Sequence, residues 1–368
     1  MNLELYGTRL YVNYTHLEKN IQYVKKQFPQ QGIIAILKAN AYGHGDVDMA
    51  QKMEELNINY FGVADFEEGL RLRRFGIKGH IMVMNPGLNN LSTIIENHLE
   101  PVIYNHEMLH ELGVLAQNNI IRTPSNIRIH IKINSGMNRW GFNLLELSGV
   151  IKALKQFSNI TIVSIYSHFS SAETIEQDVF TKCQTEVLMK AYNLFQSQFD
   201  YTINLHLFNS AALLRNFLTT DSTLLRVGIL LYGGLPHNDL NPVSELRCAI
   251  SQIREINSGD SVGYERKFIA SGRKKIAIIP FGYADGLQRH WGNGTLKFFH
   301  KKQLLPTIGN ISMDSCVLDI SGIDISVGDD VLYFGKERPI WELANELNTI
   351  PYEIMATLSR RIKRVYHY

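Results

Sequence analysis

The chain has 368 residues, more than one ordinary domain needs, and 45% of them are hydrophobic, as in a globular protein that buries a sizeable core. Lys and Arg number 37 against 35 Asp and Glu, a formal net charge of +2 without a long basic run, which argues against a nucleic-acid partner. The three cysteines, Cys183, Cys248 and Cys316, fit neither a zinc pattern nor a disulfide framework and read as reduced core thiols of a cytoplasmic protein. Residues 1–5 lack the basic and apolar regions of a signal peptide, and the most apolar stretch, Leu224–Leu235, is broken by Arg226 and too short to span a bilayer.

Short apolar runs of strand type fall at Ile33–Leu37, Phe61–Ala64, Ile81–Met84, Val102–Tyr104, Ile127–Asn134, Thr161–Tyr166, Ile203–Phe208 and Leu224–Ile229. Helix-period segments lie between them, at Asp46–Leu56, Glu67–Phe75, His106–Gln117, Leu144–Phe157 and Glu176–Phe199. This alternation predicts a closed (β/α)8 barrel of the TIM type, an α/β fold. From about Pro242 strand-like runs follow one another closely: Ser251–Asn257, Ile276–Pro280, Leu296–Phe299, Cys316–Ile320 and Val331–Phe334. They predict a mostly β C-terminal domain with a late helix near Trp341–Leu347. The expected division is residues 1–8 as a strand joining the second domain, 9–235 as the barrel and 236–368 as the β domain.

The working residues of a β/α barrel sit at the C-terminal ends of its strands. Here those ends carry Lys38, Asn134, His168, Asn209 and Arg226. Loops are polar in any case, so no one of these is telling alone. In Ile127–Asn134 the isoleucines alternate with Arg128, His130, Lys132 and Asn134, so period two sends the polar set to one face, the barrel interior if the strand is part of a barrel. A lysine there needs a partner or a changed charge state. Asn209-Ser210 before a helix start, and Gly228 after the eighth strand, stand where barrels commonly bind phosphate. Asn-Ser is also an ordinary helix cap.

At Lys38-Ala39-Asn40-Ala41-Tyr42-Gly43-His44-Gly45 the chain resembles the alanine racemases, fold-type III pyridoxal-phosphate enzymes. The resemblance continues through His130–Phe142, Ser167-His168-Phe169, Asn209–Ala212, Leu225–Gly233, Val262-Gly263-Tyr264, Gly282–Gly286, Ser312-Met313-Asp314 and Tyr352-Glu353, nearly the whole length. It implies a homodimer with shared active sites that racemises a small amino acid, alanine first and serine or a broader set as the alternative. It implies pyridoxal 5′-phosphate held covalently by Lys38, which also serves as one acid/base. Tyr264 of the partner subunit would be the other. Arg226 would face the pyridine nitrogen, with His168 bonded to it. Arg139 would contact the cofactor's phenolic oxygen and the substrate carboxylate. Tyr42, Asn209, Ser210, Gly228, Ile229 and Tyr352 would surround the phosphate. The partner's Met313 would bind the substrate, Tyr283 would wall the site, and Lys132 matches a lysine that is often carbamylated. No metal is implied.

These residue types suit racemisation, which removes a proton from Cα and returns it to the opposite face. A desolvated lysine and a tyrosine flanked by positive charge can both carry it. An arginine facing the pyridine nitrogen donates without yielding its proton, which weakens the ring as an electron sink and disfavours transamination. The chain departs from the family at Asn134 (often Asp), Asn138 and Glu265 (usually Gly), Asn310 (commonly Arg) and Val227 (Pro). Two rivals share parts of the pattern: a fold-type III decarboxylase, against which Arg226 and Tyr264 speak, and a non-catalytic cofactor-binding barrel, which would lack the second domain.

Overall fold

A computed structural model describes residues 7–117, 126–217 and 220–368. It contains two compact units. One runs from Val24 to Ala41 and from Asp46 to Leu230; the other comprises the described residues up to Tyr23, Tyr42–Gly45 and Leu231–Tyr368.

Strand β1 (Thr8–Asn13) belongs to the second unit. The first unit holds β2 (Gly32–Ile36), β3 (Tyr60–Val63), β4 (His80–Val83), β5 (Glu100–Ile103), β6 (Ile127–Lys132), β7 (Ile160–Tyr166), β8 (Asn204–His206) and β9 (Leu224–Val227). All eight expected strands are present. They form one parallel sheet in the order β8-β7-β6-β5-β4-β3-β2-β9. At the seam the Thr223 N–H donates to the Leu205 carbonyl at 2.9 Å and the Arg226 N–H to the Phe208 carbonyl at 3.3 Å, so the sheet nearly closes into a TIM-type barrel. Ile33–Ile36 of β2 are all buried, because a parallel strand covered on both faces can be apolar throughout.

The helix Phe66–Arg74 shows why these segments fold locally. Asp65 caps it by accepting the Glu68 N–H at 3.0 Å, Glu67 and Glu68 lie in its first turn, and Arg71, Arg73 and Arg74 in its last, complementing the helix dipole. The expected helix Leu144–Phe157 resolves into a 3-10 turn, Leu144–Glu146, followed by Leu147–Leu154, with an Asn143–Glu146 capping box at its start. The helices Tyr14–Gln27 and Leu91–Glu96 were not anticipated.

The second unit is mostly β, with β10 (Ser244–Ala249), β11 (Gln252–Ile256), β12 (Ser261–Val262), β13 (Phe268–Ile269), β14 (Lys274–Ile279), β15 (Lys297–His300), β16 (Gln303–Ile308), β17 (Cys316–Asp319), β18 (Asp330–Phe334) and β19 (Lys363–His367). Its main sheet runs β11-β14-β17-β16-β15-β18-β10-β1-β19. The strand expected over residues 1–8 lies almost wholly outside the described residues; β1 pairs antiparallel with β10 and parallel with β19. Phe281, Phe298 and Tyr333 pack ring to ring with centroids 5.2–6.3 Å apart. The helices Ile340–Glu346 and Pro351–Ala356 follow β18.

One expectation about the cysteines is corrected. Cys248 and Cys316 are buried, but Cys183 is exposed on Asp178–Gln196. That helix turns Thr181, Gln184 and Thr185 inward instead, where Gln184 bonds the Ser170 N–H at 3.1 Å and the His168 carbonyl at 3.1 Å. Among the described residues no helix is long and apolar enough to cross a membrane, and no cluster of His, Cys, Asp and Glu could hold a metal.

Candidate active site

Lys38 follows β2 and opens a turn of unusual conformation. Ala39, Asn40, Ala41 and Tyr42 have φ of 54°, 56°, 52° and 52°, four non-glycine residues in succession in the left-handed region. Each such residue costs about 1–2 kcal/mol, so neighbours must impose the turn. The Ala41 N–H donates to the Leu37 carbonyl at 2.7 Å, and the Asn40 side chain accepts the Asp46 N–H at 3.3 Å. Glu68 does more: its carboxylate accepts the Ala39 N–H at 2.6 Å and the Ala64 N–H at 2.8 Å, clamping the residue after Lys38 to the end of β3. No motif in the sequence marks Glu68.

Lys38 is solvent-exposed as a residue, yet the protein around its amine is dense enough to shift it. Desolvation is the largest cause of a lowered pKa; the charge of Arg139 comes next, Glu68 opposes it, and Arg226 adds to it. More of the amine is therefore free base near neutrality than in an ordinary lysine. Arg139→Gln removes the largest charge-based cause, so the pH profile of Lys38 acylation in cofactor-free protein should move to higher pH. An unmoved profile would mean that burial alone sets the amine.

Arg226, in β9, is buried and saturated on one side. Its Nη1 donates to His206 Nδ1 at 2.5 Å and to the His206 carbonyl at 3.2 Å. Its Nη2 donates to the carbonyls of Ser167 at 2.7 Å and Leu207 at 2.9 Å and contacts His168 Nδ1 at 3.1 Å. Only Nε–H has no acceptor among the described residues. Burial lowers the guanidinium to about 10, so it stays charged at neutral pH. Desolvation and then the Arg226 charge push His168 well below its usual range, leaving it neutral.

Lys132 is buried inside the barrel with its amine 4.4 Å from the Tyr166 ring centre, and Arg226 lies over the same ring at 5.1 Å. Among the described residues no carboxylate pairs with Lys132. Desolvation, followed by Arg226, Arg139 and Lys38, drives its pKa well down. The period-two reading of this strand therefore leads to an inward lysine without a counter-ion. The loop after it is organised by Asn134, whose side-chain Oδ1 accepts the N–H groups of Gly136 and Asn138 at 3.2 and 3.0 Å. Asn138 has φ 54°, which asparagine tolerates better than most residues. Arg139 is exposed, with its guanidinium 5.0 Å from the Trp140 ring centre.

At the other side of the rim Asn209 caps the short helix Ser210–Leu214, accepting the Ala212 N–H at 3.0 Å. The buried Ser210 hydroxyl gathers the N–H groups of Gly228 and Leu230 at 3.2 and 3.4 Å, and Ile229 is buried between them. Three polar hydrogens thus converge where the seventh and eighth barrel strands end.

In the second unit Tyr264, Tyr283 and Met313 are all exposed. The Tyr283 N–H donates to the Ser312 carbonyl at 3.1 Å, and Gly282 packs so closely on Met313 that a Cβ would lie 2.3 Å from its carbonyl oxygen. Asn310 donates to the Tyr264 carbonyl at 3.2 Å. Glu265 adopts φ 60°, where glycine is the comfortable residue, and its carboxylate meets Arg289 at 2.8 Å. Tyr42 is buried and its ring lies 6.1 Å from that of Tyr352; burial raises its hydroxyl pKa further above the usual tyrosine value.

A barrel carrying a lysine of lowered pKa just after its first strand, a free guanidinium donor on its last and a mostly β second unit defines the fold-type III class of pyridoxal-phosphate enzymes. Residues 12–236 match the alanine racemase N-terminal domain and residues 243–366 the C-terminal domain. An alanine racemase of Helicobacter pylori (strain P12) is 33% identical over 96% of this chain and 97% of its own. The solved alanine racemase of Bacillus anthracis with bound L-Ala-P superposes with a TM-score of 0.89 at 26% identity, covering 99% of this chain and 96% of that one. That of Bartonella henselae, with covalently bound pyridoxal phosphate, gives 0.86 at 26%, covering 99% and 100%. The chain belongs to the alanine racemase family, isomerases that depend on pyridoxal phosphate.

The residues present fit that cofactor. Arg226 keeps one N–H that a ring nitrogen could accept, the Lys38 amine has a lowered pKa, and the Ser210 hydroxyl, which accepts the Gly228 N–H, keeps its own proton for a phosphate.

Proposed function

We propose that this enzyme interconverts L- and D-alanine with two acid/base groups on opposite faces of the substrate, Lys38 and Tyr264 of the partner subunit. The observation that carries this reading is the Arg226 guanidinium, held by five protein acceptors and left with Nε–H alone to donate. Bound there, pyridoxal phosphate supplies an electron sink that makes the Cα–H of alanine acidic. Arg226 would donate to the ring nitrogen without protonating it, which would restrain that sink and favour return of the proton to Cα. Lys38 would anchor the cofactor and, as a free amine, would take or return the Cα proton at Nζ. His168, neutral and tied to Arg226, lies at the same rim. Asn209, Ser210, Gly228, Ile229, Tyr42 and Tyr352 would hold the phosphate; Arg139 would meet the substrate carboxylate, with the partner's Met313 and with Tyr283 walling a pocket for a small side chain.

Tyr264, Met313 and Tyr283 are exposed on the isolated protomer, which suits residues delivered to a second copy's barrel in a head-to-tail homodimer with two shared sites. Activity that persists on dilution to monomer would refute this. Circular dichroism of L-alanine incubated with the enzyme should decay to zero with alanine conserved; loss of alanine would indicate decarboxylation, and an unchanged signal a binding protein. Serine in the same assay defines the breadth of the pocket. We place the reaction in the cytoplasm, where three unpaired cysteines would stay reduced.

Lys132 is proposed to carry a carbamate, formed when its amine attacks carbon dioxide and loses a proton. The product is an anion that would orient Arg139, and it replaces a buried amine whose charge the neighbouring Arg226, Arg139 and Lys38 all oppose. Native mass spectrometry in bicarbonate should show one extra carbon dioxide per chain, lost in Lys132→Ala. A bare amine under those conditions would remove the carbamate.

A further inference from the structure

A string of buried hydrogen bonds leaves Arg226 on the side away from its free Nε–H and steps across the barrel interior, one strand at a time. His206 on β8 accepts from Arg226 at Nδ1, and its Nε2 lies 2.7 Å from Ser164 Oγ on β7. Ser164 Oγ lies 2.7 Å from His130 Nδ1 on β6. His130 Nε2 lies 3.0 Å from Glu100 Oε2 at the start of β5. All four residues are buried. Glu100 also accepts from Arg128 Nε at 2.5 Å, from His80 Nδ1 at 2.8 Å and from the Tyr60 hydroxyl.

The direction of every bond follows from its two ends. A guanidinium can only donate, so His206 Nδ1 accepts and its proton sits on Nε2. That proton goes to Ser164 Oγ. Among the described residues the Ser164 hydroxyl has one remaining acceptor, His130 Nδ1, so His130 also carries its proton on Nε2 and gives it to Glu100 and to the Tyr60 oxygen 3.0 Å away, whose own proton goes to Glu100. Burial works against an ionised Glu100, but hydrogen bonds from His130 and His80 and the charge of Arg128 hold its pKa well below the usual carboxylate range. The far end is thus a fixed acceptor, as the near end is a fixed donor.

We propose that Glu100, acting through His130 and Ser164, is a positioning residue for the racemase: it locks His206 in the Nε2–H tautomer and so holds Arg226 with Nε–H turned to the cofactor's ring nitrogen. This rests on the placement of Arg226 given above. A carboxamide at position 100 breaks the lock. With its oxygen kept toward Arg128 and His80, Glu100→Gln turns N–H donors toward His130. Each bond then reverses, and His206 meets Arg226 donor to donor.

The test is nitrogen NMR of 15N-histidine-labelled full-length enzyme, with and without cofactor. Wild type should show both His130 and His206 as Nε2–H; a different tautomer at either ring overturns the proposal without any variant. In Glu100→Gln both rings should change. Cutting the string in Glu100→Gln/Ser164→Ala should restore His206, which a merely structural role of Glu100 does not predict. Unchanged rings in the single variant, or no restoration in the double, overturn the lock. In loaded Glu100→Gln the side reaction that converts alanine and the aldehyde cofactor to pyruvate and the amine cofactor should quicken roughly tenfold, the effect of one charge-assisted hydrogen bond. A tautomer change without that rise leaves the lock standing and sinks the contact between Arg226 and the ring nitrogen.

Discussion

Lys38→Ala is expected to yield a folded protein that binds pyridoxal phosphate without a covalent bond and racemises alanine slower by at least roughly 10³-fold, since anchor and base are lost together. Folding should survive, because Lys38 is solvent-exposed and the turn behind it is held through the Ala39 N–H and the Asn40 side chain, neither of which involves the lysine amine. The checks are the absorbance of the bound cofactor and chiral chromatography of the alanine product. Cofactor still covalently attached in this variant would place the anchor elsewhere.

Tyr264→Phe is expected to separate the two faces. Removing one general acid/base typically costs roughly 10²–10⁴-fold. Inversion should fall by that order, as should exchange of the Cα proton of the enantiomer whose proton points at Tyr264. Exchange from the enantiomer whose proton points at Lys38 should persist, because its base is intact. Deuterium incorporation from solvent into each pure enantiomer measures the two rates. Equal slowing of both would contradict the two-base scheme. The Tyr264 backbone is held by Asn310 and flanked by the left-handed Glu265, so the substitution removes a hydroxyl without disturbing what positions it.

The barrel was legible because a parallel strand buried on both faces is an apolar run, as at Ile33–Leu37, and because β6 alternates so strictly that its inward set could be named. The rim residues were legible as strand ends. Other features left no local mark. The left-handed turn after Lys38 is built from alanine, asparagine and tyrosine rather than glycine, and the residue that imposes it, Glu68, reads as an ordinary first-turn acid of a surface helix. Ser164 hides in the apolar run of β7, flanked by Val163 and Ile165, though period two places it inward beside His130. β10 and β19 were missed because their sequences, Ser-Glu-Leu-Arg-Cys-Ala and Lys-Arg-Val-Tyr-His, carry the charges of a partly exposed sheet. Cys183 reads as a core thiol by residue type alone, but its place on Asp178–Gln196 turns it outward. Asn138 and Glu265, departures from a glycine pattern, fall on backbone with φ of 54° and 60°, so the pattern records conformation there as much as chemistry.

The most direct measurement is borohydride reduction of the loaded enzyme followed by peptide mapping. The account predicts a single pyridoxyl label, on the peptide bearing Lys38. A label on another lysine, or none after the protein has been supplied with pyridoxal phosphate, would contradict it.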